Sequence, residues 1–332
     1  MGSGNERQLR SDGSLMGSRA KVGLPRSSTR RGVLIATGLV AAAPLLRLGV
    51  LSAAQAASGA GSGEKLDRRS LVKTFGDEFK SFSWYAEGLE NGRKGGGTWR
   101  TNFGYAGTQD LGSRSLGSNG ELQVYVDRGF RGTSAKPLGI DPFRVKDGAL
   151  EIVADRAPQE VKPQIWNYAY TSGLITSQFS HAQTYGVFEM RARMPKGRGL
   201  WPAFWLLPVD HTWPPEIDVL EVLGSDLTTL HTNAHSNASG QHTDAPSVVH
   251  VADMSAGFHN YAVDWQADTI KWYFDDVVVA QSPTPSDMHK PMYMLANLAV
   301  GGHWPGNPDG STPFPAALAI EWIRAYQHGP LQ

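Results

Sequence analysis

The amino-acid sequence predicts an all-β domain in which two sheets form a sandwich. The chain of 332 residues holds 38 Gly and 20 Pro, a composition typical of a fold with many turns. About a dozen short runs of β-forming residues follow one another without an internal repeat, which favours a sandwich over a repeat architecture. No segment of useful length between residues 71 and 328 has a helical period, except for the short stretch 314–318.

Each predicted strand is short and separated from the next by turn residues. Residues 185–194 are apolar at every other position, as expected of a half-buried strand, whereas 200–207 is almost entirely apolar and is predicted to be central. The dipeptide Asp147-Gly148 predicts a hairpin turn. The predicted strands are 71–79, 121–126, 143–145, 149–154, 172–177, 185–194, 200–207, 216–221, 230–235, 261–265, 269–274, 292–298 and 318–326.

Residues 1–57 are predicted to be a signal peptide. Arg30-Arg31 precedes an apolar run from Val33 to Leu46, and Ala54-Gln55-Ala56 follows as a cleavage site. The paired arginines resemble a twin-arginine export signal. The apolar run is shorter than the ~20 residues of a spanning helix, so no stable membrane anchor is expected after cleavage. We therefore expect an exported protein, periplasmic or extracellular, with a Gly/Ser-rich flexible linker over 58–70 and one domain over 71–328.

The charge balance gives no sign of a nucleic-acid-binding protein, and the absence of cysteine excludes a disulfide-bonded one. With 31 basic and 31 acidic residues, nothing indicates a nucleic acid as partner. The chain has no Cys, so an exported domain must be stable without disulfide bonds. We expect a monomer.

One strand carries three carboxylates within six residues, Glu216-Ile217-Asp218-Val219-Leu220-Glu221. Strict alternation would place Glu216 and Asp218 on one face but turn Glu221 into the core. A β-bulge at Val219-Leu220 would return Glu221 to the face of the other two carboxylates. The spacing therefore predicts a bulged strand with an acidic row on one face.

Such a row has three interpretations. Two glutamates that lean toward each other could bring their carboxyl groups to the ~5–5.5 Å that retaining glycosidases use. A solvated acidic edge strand and a calcium site are the alternatives.

Five histidines and a Gly-rich run are further candidates for functional residues. The spacings of five histidines match no usual zinc pattern, so no metal site is predicted; these are His231, His235, His242, His250 and His259. If the strand of His235 lies beside the acidic strand, this histidine could bind a carboxylate or a sugar hydroxyl, or it could be a satisfied core residue. The Gly-rich run from Asn297 to Gly306 predicts a rim loop that presents Trp304.

Several segments together resemble glycoside hydrolase family 16 over roughly residues 75–327. These are Gly199-Leu200-Trp201-Pro202-Ala203-Phe204-Trp205-Leu206-Leu207-Pro208, the acidic row, the run from Asn297 to Gly306, and Trp322-Ile323-Arg324-Ala325-Tyr326. The resemblance implies a β-jelly-roll of two antiparallel sheets with a concave cleft, and hydrolysis of internal β-glycosidic bonds in a polysaccharide with retention of configuration. It implies that Glu216 is the nucleophile, Glu221 the general acid/base, and Asp218 the residue that tunes the nucleophile.

The six-residue row is similar to the bulged branch of the family, which includes laminarinases, rather than to the unbulged lichenases. The resemblance implies that substrate contacts come from Trp201, Trp213, Trp304, Asn119, Glu121, Asn297 and His235. Three features depart from the laminarinase pattern: Pro215 stands before the nucleophile, Leu174 stands where many members have Arg, and the loop from Asp210 to Pro215 is short. The chain also resembles exopolysaccharide glycanases of the succinoglycan-cleaving kind.

The expectation from these residues is an endo-β-1,3- or β-1,3/1,4-glucanase that requires no cofactor. An endo-glycanase acting on a bacterial exopolysaccharide, a transglycosylase and a non-catalytic sugar-binding module are the alternatives. Glu321 occupies a position where an Asp often forms part of a structural calcium site, so structural calcium is a further expectation.

Overall fold

The computed structural model describes residues 63–85 and 97–329. The predicted signal peptide and the first residues of the predicted linker lie outside the described residues. In the described part of the chain, no helix combines the length and the apolar character needed to cross a membrane.

The described residues form 17 β-strands and four short 3₁₀ helices. The strands are β1 (Leu71–Asp77), β2 (Gln123–Tyr125), β3 (Phe143–Lys146), β4 (Ala149–Arg156), β5 (Tyr170–Ser172), β6 (Leu174–Thr176), β7 (Gly186–Arg193), β8 (Leu200–Pro208), β9 (Glu216–Leu223), β10 (Asp226–Ser236), β11 (Thr243–Asp244), β12 (Ser247–His250), β13 (His259–Trp265), β14 (Thr269–Phe274), β15 (Val277–Pro283), β16 (Met292–Val300) and β17 (Ala316–His328). The 3₁₀ helices are Leu111–Ser113, Gly117–Asn119, Lys162–Ile165 and Ser286–Met288.

The strands form the two sheets of a β-jelly-roll sandwich, which confirms the predicted fold class. The ten-stranded sheet has the order β15-β14-β13-β7-β17-β4-β5-β2, with β1 paired to β17 and β3 to β4. The seven-stranded sheet has the order β11-β10-β9-β8-β16-β6, with β12 paired to β10. The pairs are antiparallel except for β2 and β5, which run parallel. The expectation of two purely antiparallel sheets is corrected at this one short pair.

The strands predicted from sequence are found, except that the predicted strand 172–177 is divided between β5 and β6, and three further strands were not anticipated. Asp147 and Gly148, with φ of 51° and 80°, form the predicted hairpin turn between β3 and β4. The stretch 314–318, considered as a helix, instead leads into β17, which begins at Ala316. The unanticipated strands are β11, β12 and β15, which are edge strands or their neighbours and have little apolar alternation to signal them.

The main core lies between the two sheets. Period-two alternation assigns Leu200, Phe204 and Leu206 of β8 to this core. The other face of β8 carries Trp201, Ala203 and Trp205, which point away from the core. One side of the seven-stranded sheet is therefore free to form a site.

A second apolar cluster covers part of that outer face. Phe103 and Tyr125, from the segment before and within β2, pack on Trp205, Leu207 and neighbouring side chains. The loop that precedes β2 thus closes one side of the outer face, and what remains open is a cleft above β8, β9 and β10.

The second half of the predicted linker packs on the domain. Leu66 is buried, and its backbone N–H donates to the carbonyl of Asp276. Arg68 donates to Glu189 at 2.8 Å and to Asp276 at 2.7 Å. The expected flexible linker over 58–70 is corrected for residues 64–69, because an apolar anchor and a double ion pair fix this segment against β7 and the turn before β15.

Candidate active site

The acidic strand β9 lies between β8 and β10 and contains the predicted bulge. In the β8 pairing, Phe204 opposes Leu220 while the next residue, Trp205, opposes Asp218, so Val219 is the extra residue. The pairing with β10 slips by one residue over the same stretch. The phase change predicted from the carboxylate spacing is confirmed.

The bulge decides which side chains of β9 face the cleft. Ile217, Val219, Leu220 and Val222 are at most 1% exposed and belong to the main core. With both bulge residues turned to the core, Glu221 returns to the face of Glu216 and Asp218.

The three carboxylates line one cavity of about 490 Å³. The cavity is bordered by β8, β9, β10 and β16 and by the loop before β2. Its lining residues are Tyr105, Leu116, Ser118, Asn119, Glu121, Trp201, Ala203, Trp205, Trp213, Glu216, Asp218, Glu221, His235, His242, Asn297 and Ala299.

Glu216 is held by neighbours on two sides. The indole Nε1 of Trp213 donates to its Oε2 at 2.8 Å, and Nε2 of His235 lies 4.0 Å from its Oε1. Burial raises the pKa of Glu216 well above its usual range, and the charge of Asp218 adds to this effect. The contacts with His235 and Trp213 oppose the rise because they stabilise the carboxylate.

Asp218 is the most buried of the three, with 3% of its surface exposed. Trp272 donates its indole N–H to the backbone carbonyl of Asp218 at 2.8 Å and fixes the strand from the core side. Burial, reinforced by the charge of Glu221, raises the pKa of Asp218 well above its ordinary value. Two adjacent buried carboxyl groups with raised pKa values do not both ionise readily.

Glu221 accepts a hydrogen bond from the indole Nε1 of Trp201 at 3.0 Å. Burial raises the pKa of Glu221 to about 7, the charge of Glu216 contributes, and the bond from Trp201 works against the rise. The carboxyl group is therefore able both to donate and to accept a proton near neutral pH.

His235 lies beside the carboxylates, as expected if β10 neighbours β9. It opposes Glu216 in the strand register, and its Nε2 lies 3.2 Å from Oδ2 of Asp218. Its other nitrogen, Nδ1, lies 3.0 Å from Nε2 of His242. Since His242 borders the cavity, one of the histidines set aside for lack of a zinc spacing belongs to the site after all.

The aromatic residues predicted to contact substrate fall into two groups. Trp201 and Trp213 line the cavity, and Trp213 is 58% exposed. Trp304 is exposed on the rim loop as predicted, but it does not line this cavity. It packs edge-on against Trp201 and His231, with ring centroids 5.3 and 4.8 Å apart.

Asn297 is one of four polar residues expected to contact substrate. It accepts from Trp205 Nε1 at 2.8 Å and donates to the Tyr125 hydroxyl at 3.0 Å. It therefore borders the cavity with half of its side-chain hydrogen-bonding capacity already in use.

Asn119 and Glu121 border the same cavity from the loop before β2. Glu121 is 6% exposed and accepts hydrogen bonds from Asn119, Gln123 and the backbone of Leu116. Its carboxylate therefore organises this loop, and burial raises its pKa.

Sequence reasoning missed Tyr105, which lies on the loop side of the cavity. Its ring is 49% exposed and stacks parallel to buried Phe103, with centroids 5.3 Å apart and an interplanar angle of 2°. Burial raises the pKa of Tyr105 to about 12, and the charge of Glu216 adds to the rise. Tyr105 belongs to an irregular loop, where no hydrophobic period announces a role.

The position expected to bind structural calcium holds an ion pair. Glu321 accepts from Nε of Arg191 at 2.5 Å, and Nη1 of the same guanidinium donates to Asn260. The positive charge that a calcium ion would bring to Glu321 is thus supplied by an arginine, so this side chain does not fit the role of a calcium ligand.

Comparisons with known proteins agree with this geometry. Residues 140–324 match the family described as glycosyl hydrolases family 16. The chain is 45% identical over 261 residues to the endo-1,3-1,4-beta-glycanase ExsH of Rhizobium meliloti strain 1021, a match covering 79% of this chain and 53% of that relative. It is 34% identical over 262 residues to a beta-glucanase of Rhodothermus marinus, covering 69% of this chain and 84% of that relative.

Solved structures give the same assignment of fold. The laminarinase catalytic domain from Thermotoga maritima MSB8 superposes with a TM-score of 0.60 at 28% identity, covering 79% of this chain and all of that domain. The chain spans about half the length of its Rhizobium meliloti relative.

Proposed function

This chain belongs to glycosyl hydrolase family 16, and from that premise we propose that it is a retaining endo-β-glycanase that hydrolyses internal β-1,3 or mixed β-1,3/1,4 glucosidic bonds of a polysaccharide. The observation that carries the proposal is the bulge of β9, because it brings Glu216, Asp218 and Glu221 to one cavity. The activities of the relatives, an endo-1,3-1,4-beta-glycanase and a laminarinase among them, support the linkage.

The first half of the reaction uses the two glutamates in different protonation states. Glu216 attacks the anomeric carbon of the bound sugar as the bond to the leaving oxygen breaks, and Glu221 donates its proton to that oxygen. Glu216 must be ionised to attack, and its contacts with Trp213 and His235 favour the carboxylate form. The indole N–H of Trp213 orients the attacking carboxylate.

The second half reverses the role of Glu221. Once Glu216 is esterified it carries no charge, and one cause of the raised pKa of Glu221 disappears. Glu221 is then a carboxylate that takes a proton from water while the water oxygen attacks the anomeric carbon and releases Glu216. No group other than these side chains and water enters either step.

The runner-up is an endo-glycanase that cleaves a bacterial exopolysaccharide. Leu174, which stands where many laminarinases have Arg, is fully buried beneath the loop before β2 and brings no charge to the cleft. This difference bears on substrate choice and leaves the carboxylates unaffected.

Release of reducing ends from laminarin, lichenan and a succinoglycan-type polymer tests the proposal. Wild-type protein is expected to cleave laminarin or lichenan with a β-anomer as first product, seen by proton NMR. Glu216→Gln and Glu221→Gln should lose about three orders of magnitude or more of activity. Glu160→Gln is the matched control, because Glu160 is an exposed carboxylate outside the cavity.

The alternatives give different results in the same assay. Cleavage of the succinoglycan-type polymer alone would reject the glucanase proposal and favour the exopolysaccharide endo-glycanase. Binding of several β-glycans without any cleavage would indicate a sugar-binding module. Longer products at high acceptor concentration would indicate transglycosylation, since a sugar hydroxyl can intercept the glycosyl-enzyme in place of water.

We also propose that the protein is exported by the twin-arginine route and acts as a monomer. The supporting features are Arg30-Arg31 and the apolar run behind them. Replacement of both arginines by lysine should retain the protein in the cytoplasm. Light scattering of the exported form should give the mass of a single chain.

A further inference from the structure

Three side chains with metal-ligating atoms converge at one end of the cleft. We propose that Glu216, Asp218 and His235 bind a divalent transition-metal ion, with Zn²⁺ as the best fit, and that the bound ion inhibits the enzyme by occupying the nucleophile. The inhibition rests on the function proposed above, whereas the binding does not depend on it.

The geometry suits a small ion. One ligand atom from each of the three side chains lies within 4.8 Å of the others, and among residues 63–85 and 97–329 no other group of three His, Cys, Asp or Glu side chains does so. Nε2 of His235 is 3.2 Å from Oδ2 of Asp218 and 4.0 Å from Oε1 of Glu216. Two ligands about 2.1 Å from a tetrahedral zinc ion are roughly 3.4 Å apart, so only Glu216 needs a small shift.

A buried acceptor without a donor is the second observation. Oδ2 of Asp218 is buried and accepts no hydrogen bond in the described part of the chain. A buried carboxylate oxygen in this state lacks the positive partner that would offset its desolvation. The oxygen is directed toward His235, where the proposed ion would supply that partner.

The contacts of His235 direct a lone pair on Nε2 toward the cluster, and the ion would take this lone pair in place of the hydrogen bond from Asn233. The amide nitrogen of Asn233, which can only donate, lies 3.2 Å from Nε2. Nδ1 lies 3.0 Å from Nε2 of His242. A neutral His235 with its proton on Nδ1 satisfies both contacts, so His242 fixes the tautomer as outer-sphere partners of metal-binding histidines do.

The donor set selects the kind of ion. One imidazole and two carboxylates favour zinc or a similar transition metal over magnesium and calcium, which prefer oxygen ligands alone. The fourth position of the ion would face the cleft and hold water. Because the ion would bind Oε1 while Trp213 holds Oε2, neither oxygen of Glu216 would remain free to attack a sugar.

Direct binding tests the site without any substrate. Zinc chloride titrated into the wild-type protein in a calorimeter should bind at one ion per chain, and Co²⁺ should give visible absorption bands of a tetrahedral site. His235→Ala and the isosteric Asp218→Asn should abolish both signals. His242→Ala should weaken binding by about 10- to 100-fold, the usual effect of losing an outer-sphere partner.

The matched control is His231→Ala, which removes another histidine of β10 that packs on Trp304 outside the cluster. It should bind zinc as wild type does, and circular dichroism should show every variant folded. Absence of saturable binding to wild type, or unchanged affinity in His235→Ala and Asp218→Asn, overturns the site.

Inhibition is measured separately. Laminarin hydrolysis should fall as zinc is added and return fully with EDTA. Zinc binding at this site with full activity retained would overturn the inhibitory role. Zinc binding by a protein that cleaves no β-glucan would reject the proposed function and leave the metal site standing.

Discussion

The indole N–H of Trp201 donates to Oε1 of Glu221 at 3.0 Å, so a residue of β8 lowers the pKa of a carboxyl group on β9. The two residues are brought together by the bulge, because in the register it leaves Ala203 opposite Glu221 and Trp201 one alternation further along the same face. The contact opposes a rise in pKa whose main cause is burial.

Trp201→Phe should therefore move the basic limb of the pH profile to higher pH. Glu221 must hold a proton to donate it, so wild-type kcat/KM should fall as the pH rises through about 7. Phenylalanine keeps much of the aromatic surface but donates no hydrogen bond, so the ionised form of Glu221 loses a stabilising contact. A profile of kcat/KM against pH checks this, and a limb that moves to lower pH would contradict the assigned role of the bond.

Glu221→Gln should make the folded protein more stable in alkaline solution. Because the folded-state pKa of Glu221 is raised, its carboxyl group favours folding when protonated, and that contribution is lost as the pH rises from about 4.5 through about 7. Glutamine carries no charge to desolvate. We expect little change at pH 4 and a gain of up to about 3 kcal/mol at pH 9, from a shift worth ~1.4 kcal/mol per unit.

Urea unfolding of wild type and Glu221→Gln at the two pH values measures this difference. Glu160→Gln serves again as the exposed control and should show no pH-dependent gain. Equal stabilisation at both pH values would mean that the buried charge is not the cause.

Tyr105→Ala should weaken substrate binding more than it slows the chemical step. Its exposed ring is fixed by Phe103 and borders the same cavity as the nucleophile, so it offers a rigid platform to a sugar ring. Loss of about 1–1.5 kcal/mol of apolar contact corresponds to a KM roughly tenfold higher. Tyr105→Phe keeps the ring and should retain KM; a tenfold loss in that variant too would assign the effect to the hydroxyl.

The bulge is the part of the site that could be predicted from the sequence. Three carboxylates and three aliphatic residues in one six-residue row admit few arrangements, and an extra residue at Val219-Leu220 resolves the phase slip between Asp218 and Glu221. Local alternation was enough here because the apolar residues had one core to face. The neighbouring β8 was predictable for the same reason.

The positions of Tyr105 and His242 in the site could not be predicted from local alternation. Both reach the cavity from irregular segments, whose paths depend on tertiary contacts such as the stacking of Phe103 on Tyr105 and the packing of Phe103 against Trp205. Neither contact leaves a periodic pattern. The prediction of a flexible linker was wrong at residues 64–69 for a related reason. The Gly/Ser-rich composition conceals Leu66 and Arg68, the two residues that attach this segment to the domain.

Addition of calcium should leave the thermal stability unchanged. Glu321 is neutralised by Arg191, so the position expected to hold calcium has its positive charge within the protein. We expect the same Tm in EDTA and in millimolar CaCl₂, measured by calorimetry. A clear rise in Tm with calcium would show that calcium binds through other residues, and Glu321→Gln would then test whether Glu321 takes part.

Arg68→Ala should destabilise the domain although Arg68 belongs to a segment that the sequence marks as linker. Its guanidinium donates to Oε2 of Glu189, whose side chain is 1% exposed, and Oε1 of Glu189 accepts no hydrogen bond in the described residues. Loss of one partner of a fully buried ion pair costs about 3–5 kcal/mol, and we expect roughly 1–3 because Arg68 is itself 37% exposed. The double variant Arg68→Ala/Glu189→Gln should recover much of the loss, since it removes the unpaired buried charge.

Urea unfolding of the three proteins measures these differences, with Arg69→Ala as the control because Arg69 pairs with neighbouring Asp67 at the surface. Equal stability of Arg68→Ala and Arg69→Ala would show that the ion pair of Arg68 with Glu189 contributes nothing to stability.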